Sequence, residues 1–107
     1  MKRRSIRWSE SASLDLIEIF EFIRQDQPEA ANRLTREIDA AVSSLRRQPK
    51  LGKIVPEFHE QGILDYRQLI VSSYRVIYSI RDPRIHILAV VDCRRDVEAA
   101  LFLRLLR

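Results

Sequence analysis

The hydrophobic period changes once along this chain, and that change constrains the fold more than any other feature. Before residue 50 the apolar residues fall three and four apart, whereas from Ile63 they crowd into short runs rich in β-branched and aromatic side chains. Ala12, Leu16, Ile19, Phe20 and Ile23 form one helical stripe, leaving Asp15, Glu18, Glu21 and Arg24 on a wet face. Ser9 stands where an N-cap belongs, and Glu10 suits the positive end of the helix dipole. A first helix is therefore expected up to about Asp26. Ala31, Leu34, Ile38, Ala41, Val42 and Leu45 make a second stripe. Pro28 fits its first turn, where a missing N–H loses nothing; Arg46 and Arg47 fall in its last turn, and Pro49 and Gly52 end it. The short connection Gln25–Pro28 implies an antiparallel hairpin.

The strands follow from the other period. Ile6 and Trp8 alternate with Arg7, so residues 3–8 read as a short opening strand. Ile63–Val71, Tyr74–Arg81 and Ile85–Val91 read as an antiparallel meander broken at Ser72-Ser73 and Asp82-Pro83-Arg84. Val97–Leu106, with Val97, Leu101, Leu103, Leu105 and Leu106, reads as a short C-terminal helix or tail. It either packs on the chain's own sheet or helps form a partner's groove. The sum is one α+β domain over residues 1–107: an N-terminal strand, then an antiparallel two-helix hairpin packed on one face of a small antiparallel β-sheet, then the C-terminal element.

Composition narrows the function classes. With 46% hydrophobic and 32% charged residues among 107, the chain is globular in make-up. Its net charge of +4 is spread over both halves, which suits an acidic protein, DNA or RNA without choosing among them. Cys93 is the lone cysteine, so an intrachain disulfide is excluded and a reducing, cytoplasmic setting is expected. No apolar run approaches the roughly 18–20 residues of a membrane span. The basic start is followed by Ser5-Ile6-Arg7-Trp8 rather than a signal peptide's apolar stretch. One cysteine with the distant His59 and His86 supplies no metal site, and two isolated glycines build no phosphate loop. No metal or small-molecule cofactor is expected.

Arginine on and around the strands is the unusual feature: Arg67, Arg75, Arg81, Arg94 and Arg95. Such a residue is costly in a sheet unless it meets a carboxylate or phosphate. Asp65, Asp92 and Asp96 offer internal partners; the alternative is an anion-binding or docking face on the sheet side left bare by the helices. Turn length decides whether Arg67 and Arg75 share that face. A two-residue Ser72-Ser73 turn sets Arg67 opposite Tyr78 and sends Arg75 to the other side. Ser-Ser lacks the glycine or asparagine that tight turns favour, so the reading leans to a longer turn with both arginines together.

Taken in order, Trp8-Ser9, Ala12, Asp15-Leu16, Ile19, Pro28, Ala30-Ala31, Leu45, Pro49, Gly52-Lys53, Val55-Pro56-Glu57, Tyr66-Arg67 and Tyr74-Arg75-Val76-Ile77-Tyr78 resemble the RelE/ParE toxins of bacterial type II toxin–antitoxin pairs. The resemblance spans nearly the whole chain and implies the hairpin-on-sheet fold and a cognate acidic antitoxin. It leaves the target open. RelE-like members cut mRNA on the ribosome with basic strand residues and a late tyrosine; Arg67, Arg75 and Arg95 (or Arg94) would carry that here. Leu69 occupies the second basic strand position, and no tyrosine follows Arg95. ParE-like members act on DNA gyrase and require a docking surface, so the ParE-like reading is favoured. Its partner-binding residues are expected among Arg67, Arg75, Tyr78, Arg81, Arg94, Arg95, Leu101 and Leu105. A third reading is an inactive homologue that only binds antitoxin.

Overall fold

Both helices form where the stripes place them. In the computed structural model, which describes residues 4–94 and Arg104, α1 covers Glu10–Arg24 and α2 covers Pro28–Ser44. The Ser9 side chain accepts the Ala12 N–H at 3.0 Å, the N-cap bond its position implies. Pro28 opens α2, whose buried face is Ala31, Leu34, Ile38 and Val42. Arg46 and Arg47 lie just beyond its end, not in its last turn.

The sheet is larger than the sequence suggests. Strands β1 (Ser5–Trp8), β2 (Lys53–Ile54), β3 (Arg67–Val71), β4 (Tyr74–Arg81) and β5 (Arg84–Asp92) lie in the order β1-β5-β4-β3-β2. It is mixed rather than wholly antiparallel, because β1 runs parallel to β5 with Ile6 beside Ile85 and Trp8 beside Ile87. The expected first meander strand begins at Arg67, four residues after Ile63. Upstream of it, β2 and a one-turn helix α3 (Pro56–His59) were not anticipated. Pro56 suits the first position of a helical turn, and that turn buries Val55 and Phe58 on the sheet.

The turn expectation is corrected. Ser72-Ser73 is a two-residue turn pairing Val71 with Tyr74, and Ser72 takes the left-handed φ of 56° itself. Arg67 therefore sits opposite Tyr78 on the helix side, while Arg75 sits opposite Ile70 on the other.

A bulge falls instead on the opposite edge of β4. Ile77 pairs with Ala89 and Tyr78 with Ile87, leaving Leu88 as an extra residue. Ile85, Ile87 and Val90 consequently join the core under the helices with Ile38, Leu45, Val76 and Tyr78. Ala89 and Val91 turn to the second face, where Val55, Phe58 and Ile77 cover them. Helix α1 satisfies the irregular backbone: the Ser9 hydroxyl donates to Leu88 O at 3.4 Å, and Asp15 accepts the Val90 N–H at 2.9 Å. Among the described residues, no helix is long and apolar enough to cross a membrane.

Candidate functional site

The side of the sheet away from the hairpin carries Arg75, and both terminal nitrogens of its guanidinium are engaged. Nη1 donates to both Glu57 carboxylate oxygens at 2.9 and 3.0 Å and to Gln68 Oε1 at 3.2 Å. Nη2 donates to the Cys93 carbonyl at 3.2 Å. Arg75 is 15% exposed and Glu57 27%, so the pair is shielded from water and ties α3 to the sheet. Phe58 and Tyr66 extend that seam, with ring centres 5.4 Å apart. Arg75 thus fixes the cover of this face and does not project from it.

Arg67 lies across the sheet beside a second fixture. The buried Tyr78 hydroxyl donates to the Pro49 carbonyl at 2.7 Å and accepts the Gly52 N–H at 2.9 Å. Arg67 Nη1 then donates to the Gly52 carbonyl at 2.7 Å. Burial pushes the Tyr78 hydroxyl above its usual pKa, opposed by the Gly52 N–H and the charge of Arg67. Gly52 has no room for a side chain: a Cβ there would lie 2.4 Å from Gln68 O and 2.8 Å from the Tyr78 hydroxyl. The loop of residues 49–52 is thereby pinned to β4 and the start of β3, which holds Lys50 at their margin. Tyr78, expected among the partner-binding residues, is 0% exposed, and its hydroxyl holds this loop.

Arg81 ends β4 exposed, directly opposite Arg84. With Lys50, Leu64, Asp65, Arg67, Ser79 and Ile80 it lines a cleft of about 470 Å³. Arg94 is exposed but folds back on Asp92, donating from Nε and Nη2 at 3.1 Å each; this hydrogen-bonded pairing raises its pKa. At the same end of the sheet, Arg104 grips Asp15 through both oxygens at 2.7 Å. That contact, Arg104 with Asp15, had no sequence signal, since the two are far apart in the chain. Arg95, Leu101 and Leu105, and the Val97–Leu106 element apart from Arg104, lie outside the described residues. His59 is exposed at the end of α3, and no group of three or more His, Cys, Asp or Glu side chains among the described residues is arranged to hold a metal ion.

The two strand arginines expected to serve a nuclease do not share a face. Arg67 and Arg75 are on opposite faces, and Leu69 is packed against the core under the helices. Glu57 and Gly52, which organise both arginines, were missed as site residues. The Gly-Lys-x-Val-Pro-Glu run contained both, but nothing local marks a glutamate as the partner of an arginine 18 residues away.

Comparison with known proteins gives a consistent answer. The family described as "ParE toxin of type II toxin-antitoxin system, parDE" matches residues 6–97. A Sinorhizobium fredii protein bearing the name "Putative toxin Y4kP" is 33% identical over 97 residues, covering 90% of this chain and 95% of that one. Among solved structures, a chromosomal ParDE toxin–antitoxin system from P. aeruginosa superposes with a TM-score of 0.67 at 21% identity, over 84% of this chain and 96% of the other. The RelBE2 toxin–antitoxin complex from Mycobacterium tuberculosis gives 0.56 at 20% identity, over 86% and 93%. The YoeB dimer from Staphylococcus aureus gives 0.56 at 18%, over 83% and 95%. Those structures share the fold; the family match and the one-third identity to a relative carry the assignment further. The chain belongs to the ParE toxins of type II toxin–antitoxin systems, within the wider ParE/RelE group.

Proposed function

We propose that this toxin arrests growth by acting on DNA gyrase and is neutralised by a cognate acidic antitoxin. The observation that carries this reading is the separation of Arg67 from Arg75 by the thickness of the sheet, with Arg75 bound to Glu57. A ribosome-dependent mRNA endonuclease has to activate a 2′-hydroxyl, stabilise a phosphorane and protonate a leaving oxygen at one point. The strand arginines do not converge for that work, and arginine stays protonated near neutral pH. A gyrase inhibitor needs a docking surface, not a proton shuttle. Exposed cations at Lys50, Arg81, Arg84 and Arg94, and the exposed Leu14, Ile17 and Phe22 of α1, supply contact chemistry of that kind. The antitoxin partner is carried over from the family and from relatives solved as ParDE and RelBE2 toxin–antitoxin assemblies.

Purified toxin added separately to gyrase with relaxed plasmid and to a translating ribosome extract tests the proposal. Loss of supercoiling with accumulation of cleaved plasmid, and intact mRNA, is the expected outcome. Unchanged supercoiling with codon-linked mRNA cuts would transfer the protein to the nuclease reading. Inactivity in both, with antitoxin binding retained, would make it an inert homologue.

A further inference from the structure

The cleft at the fork of β3 and β4 combines two features that a merely structural feature would not keep. Strand β3 begins at Arg67 opposite Tyr78, so Ser79, Ile80 and Arg81 run on past their last partner on that side. Lys50, Arg67 and Arg81 line the resulting space against one carboxylate, Asp65. Asp82 follows Arg81 and feels the charge of Lys50, but it is already paired with Arg4, which holds its carboxyl below the usual range. Arg84 faces Arg81 across the hairpin end, an unfavourable like-charge pair for folding alone. Ser79 also lines this cleft; it is 3% exposed, and its hydroxyl has no hydrogen-bond partner among the described residues. A buried hydroxyl without a partner is uncommon and costly, and here it belongs to a residue lining the same cleft as three cations.

We infer that this cleft is a phosphate subsite that takes a backbone phosphate of a nucleic acid. Its donors come from three separate pieces of chain, namely the loop bearing Lys50, the start of β3 and the end of β4. Beyond the Arg67 end of β3 the strand edge is open, so Arg67 borders the cleft from the helix side and Arg81, in step with Arg75 and Ile77 along β4, from the other. Donors arriving from both sides suit a tetrahedral anion, whereas a planar carboxylate is satisfied by one guanidinium fork. The site is also preorganised. Tyr78 and Arg67 fix residues 49–52 through Pro49 and Gly52, so Lys50 is held at the rim before any ligand arrives. Arg67 uses Nη1 on Gly52 and keeps further N–H donors. The inference does not rest on gyrase as the target, because a phosphate contact of this kind serves DNA or RNA equally.

The test is a backbone and arginine side-chain NMR titration of the full chain with three probes: inorganic phosphate, a short mixed-sequence oligonucleotide, and an acidic peptide of matched charge. Resonances of Lys50, Asp65, Arg67 and residues 79–81 are expected to move with phosphate and with the oligonucleotide. Arg81→Ala is expected to weaken oligonucleotide binding about tenfold and to lower the salt slope by about one. Ser79→Ala is expected to weaken it several-fold while leaving the melting temperature unchanged or raised, since it removes an unpartnered buried group. A purely structural serine would not show that split. The inference is overturned if these resonances stay still, if either variant binds like the parent, or if the peptide binds the cleft as tightly as the oligonucleotide.

Discussion

The two ends of β4 handle positive charge in opposite ways. Around Tyr74 and Arg75 three arginines have found a carboxylate: Arg75 with Glu57, Arg94 with Asp92, and Arg104 with Asp15 across from the bulge. Around Ser79 and Arg81, Lys50, Arg67, Arg81 and Arg84 gather against Asp65 and an Asp82 already claimed by Arg4. In the first arrangement Arg75 and Arg104 tie distant pieces of the fold together, while the second leaves cationic donors facing solvent. An arginine's presence on a strand therefore says little about function until its partner is known. Arg75 and Arg67 look equivalent in the sequence, yet one closes a seam and the other borders a cleft.

The largest expected effect comes from the loop that joins the two arrangements. Gly52→Ala drives a Cβ into Gln68 O and should cost roughly 3 kcal/mol or more of stability, measured by urea unfolding. A near-neutral result would mean that residues 49–52 are not pinned. Next, Arg75→Ala should lose roughly 2–3 kcal/mol, because it strands Glu57 and Gln68 under α3. A loss of toxicity without that destabilisation would place Arg75 with the contacting residues and erase the contrast.

Tyr78→Phe should cost about 1.5–2 kcal/mol by leaving the Gly52 N–H and Pro49 carbonyl unmatched. It should also alter the pH dependence. The folded-state pKa of Tyr78 is raised, so its contribution is complete below the ordinary tyrosine value near 10 and fades as pH rises through the folded value. The parent should lose stability on that alkaline limb, and the phenylalanine variant should lose less. Smallest of all, Arg94→Ala should leave the unfolding midpoint unmoved, since its side chain is 90% exposed. A clear drop would show that exposed pairing at this end carries weight after all.

Much of the framework was legible in residue spacing. The stripes of α1 and α2, the Ser9 cap, the short hairpin connection and the three central strands all follow from local periodicity. What escaped was set by contacts distant in sequence. The parallel pairing of β1 with β5 joins residues about 80 positions apart, and Glu57 finds Arg75 only because α3 folds over the sheet. The Ser72-Ser73 turn misled for a different reason: its serine accepts a left-handed backbone that glycine or asparagine usually supplies. The bulge at Leu88 left no sign in a run that reads as plain strand, yet it sorts β5 between the two faces. Nothing local sets Ser79 apart within its strand; only its burial without a partner among the described residues marks it.

The division of labour between the two ends is tested most directly by comparing growth arrest and melting temperature for two variants beside the parent. In the first, Glu57→Leu with Arg75→Met replaces the shielded ion pair by apolar side chains, a change that similar pairs tolerate without loss of stability. In the second, Arg81→Glu reverses one exposed charge. The double variant is expected to fold and still arrest growth, while the charge reversal is expected to fold and not arrest it. A double variant that melts like the parent but is harmless, beside a fully toxic Arg81→Glu, would contradict that division.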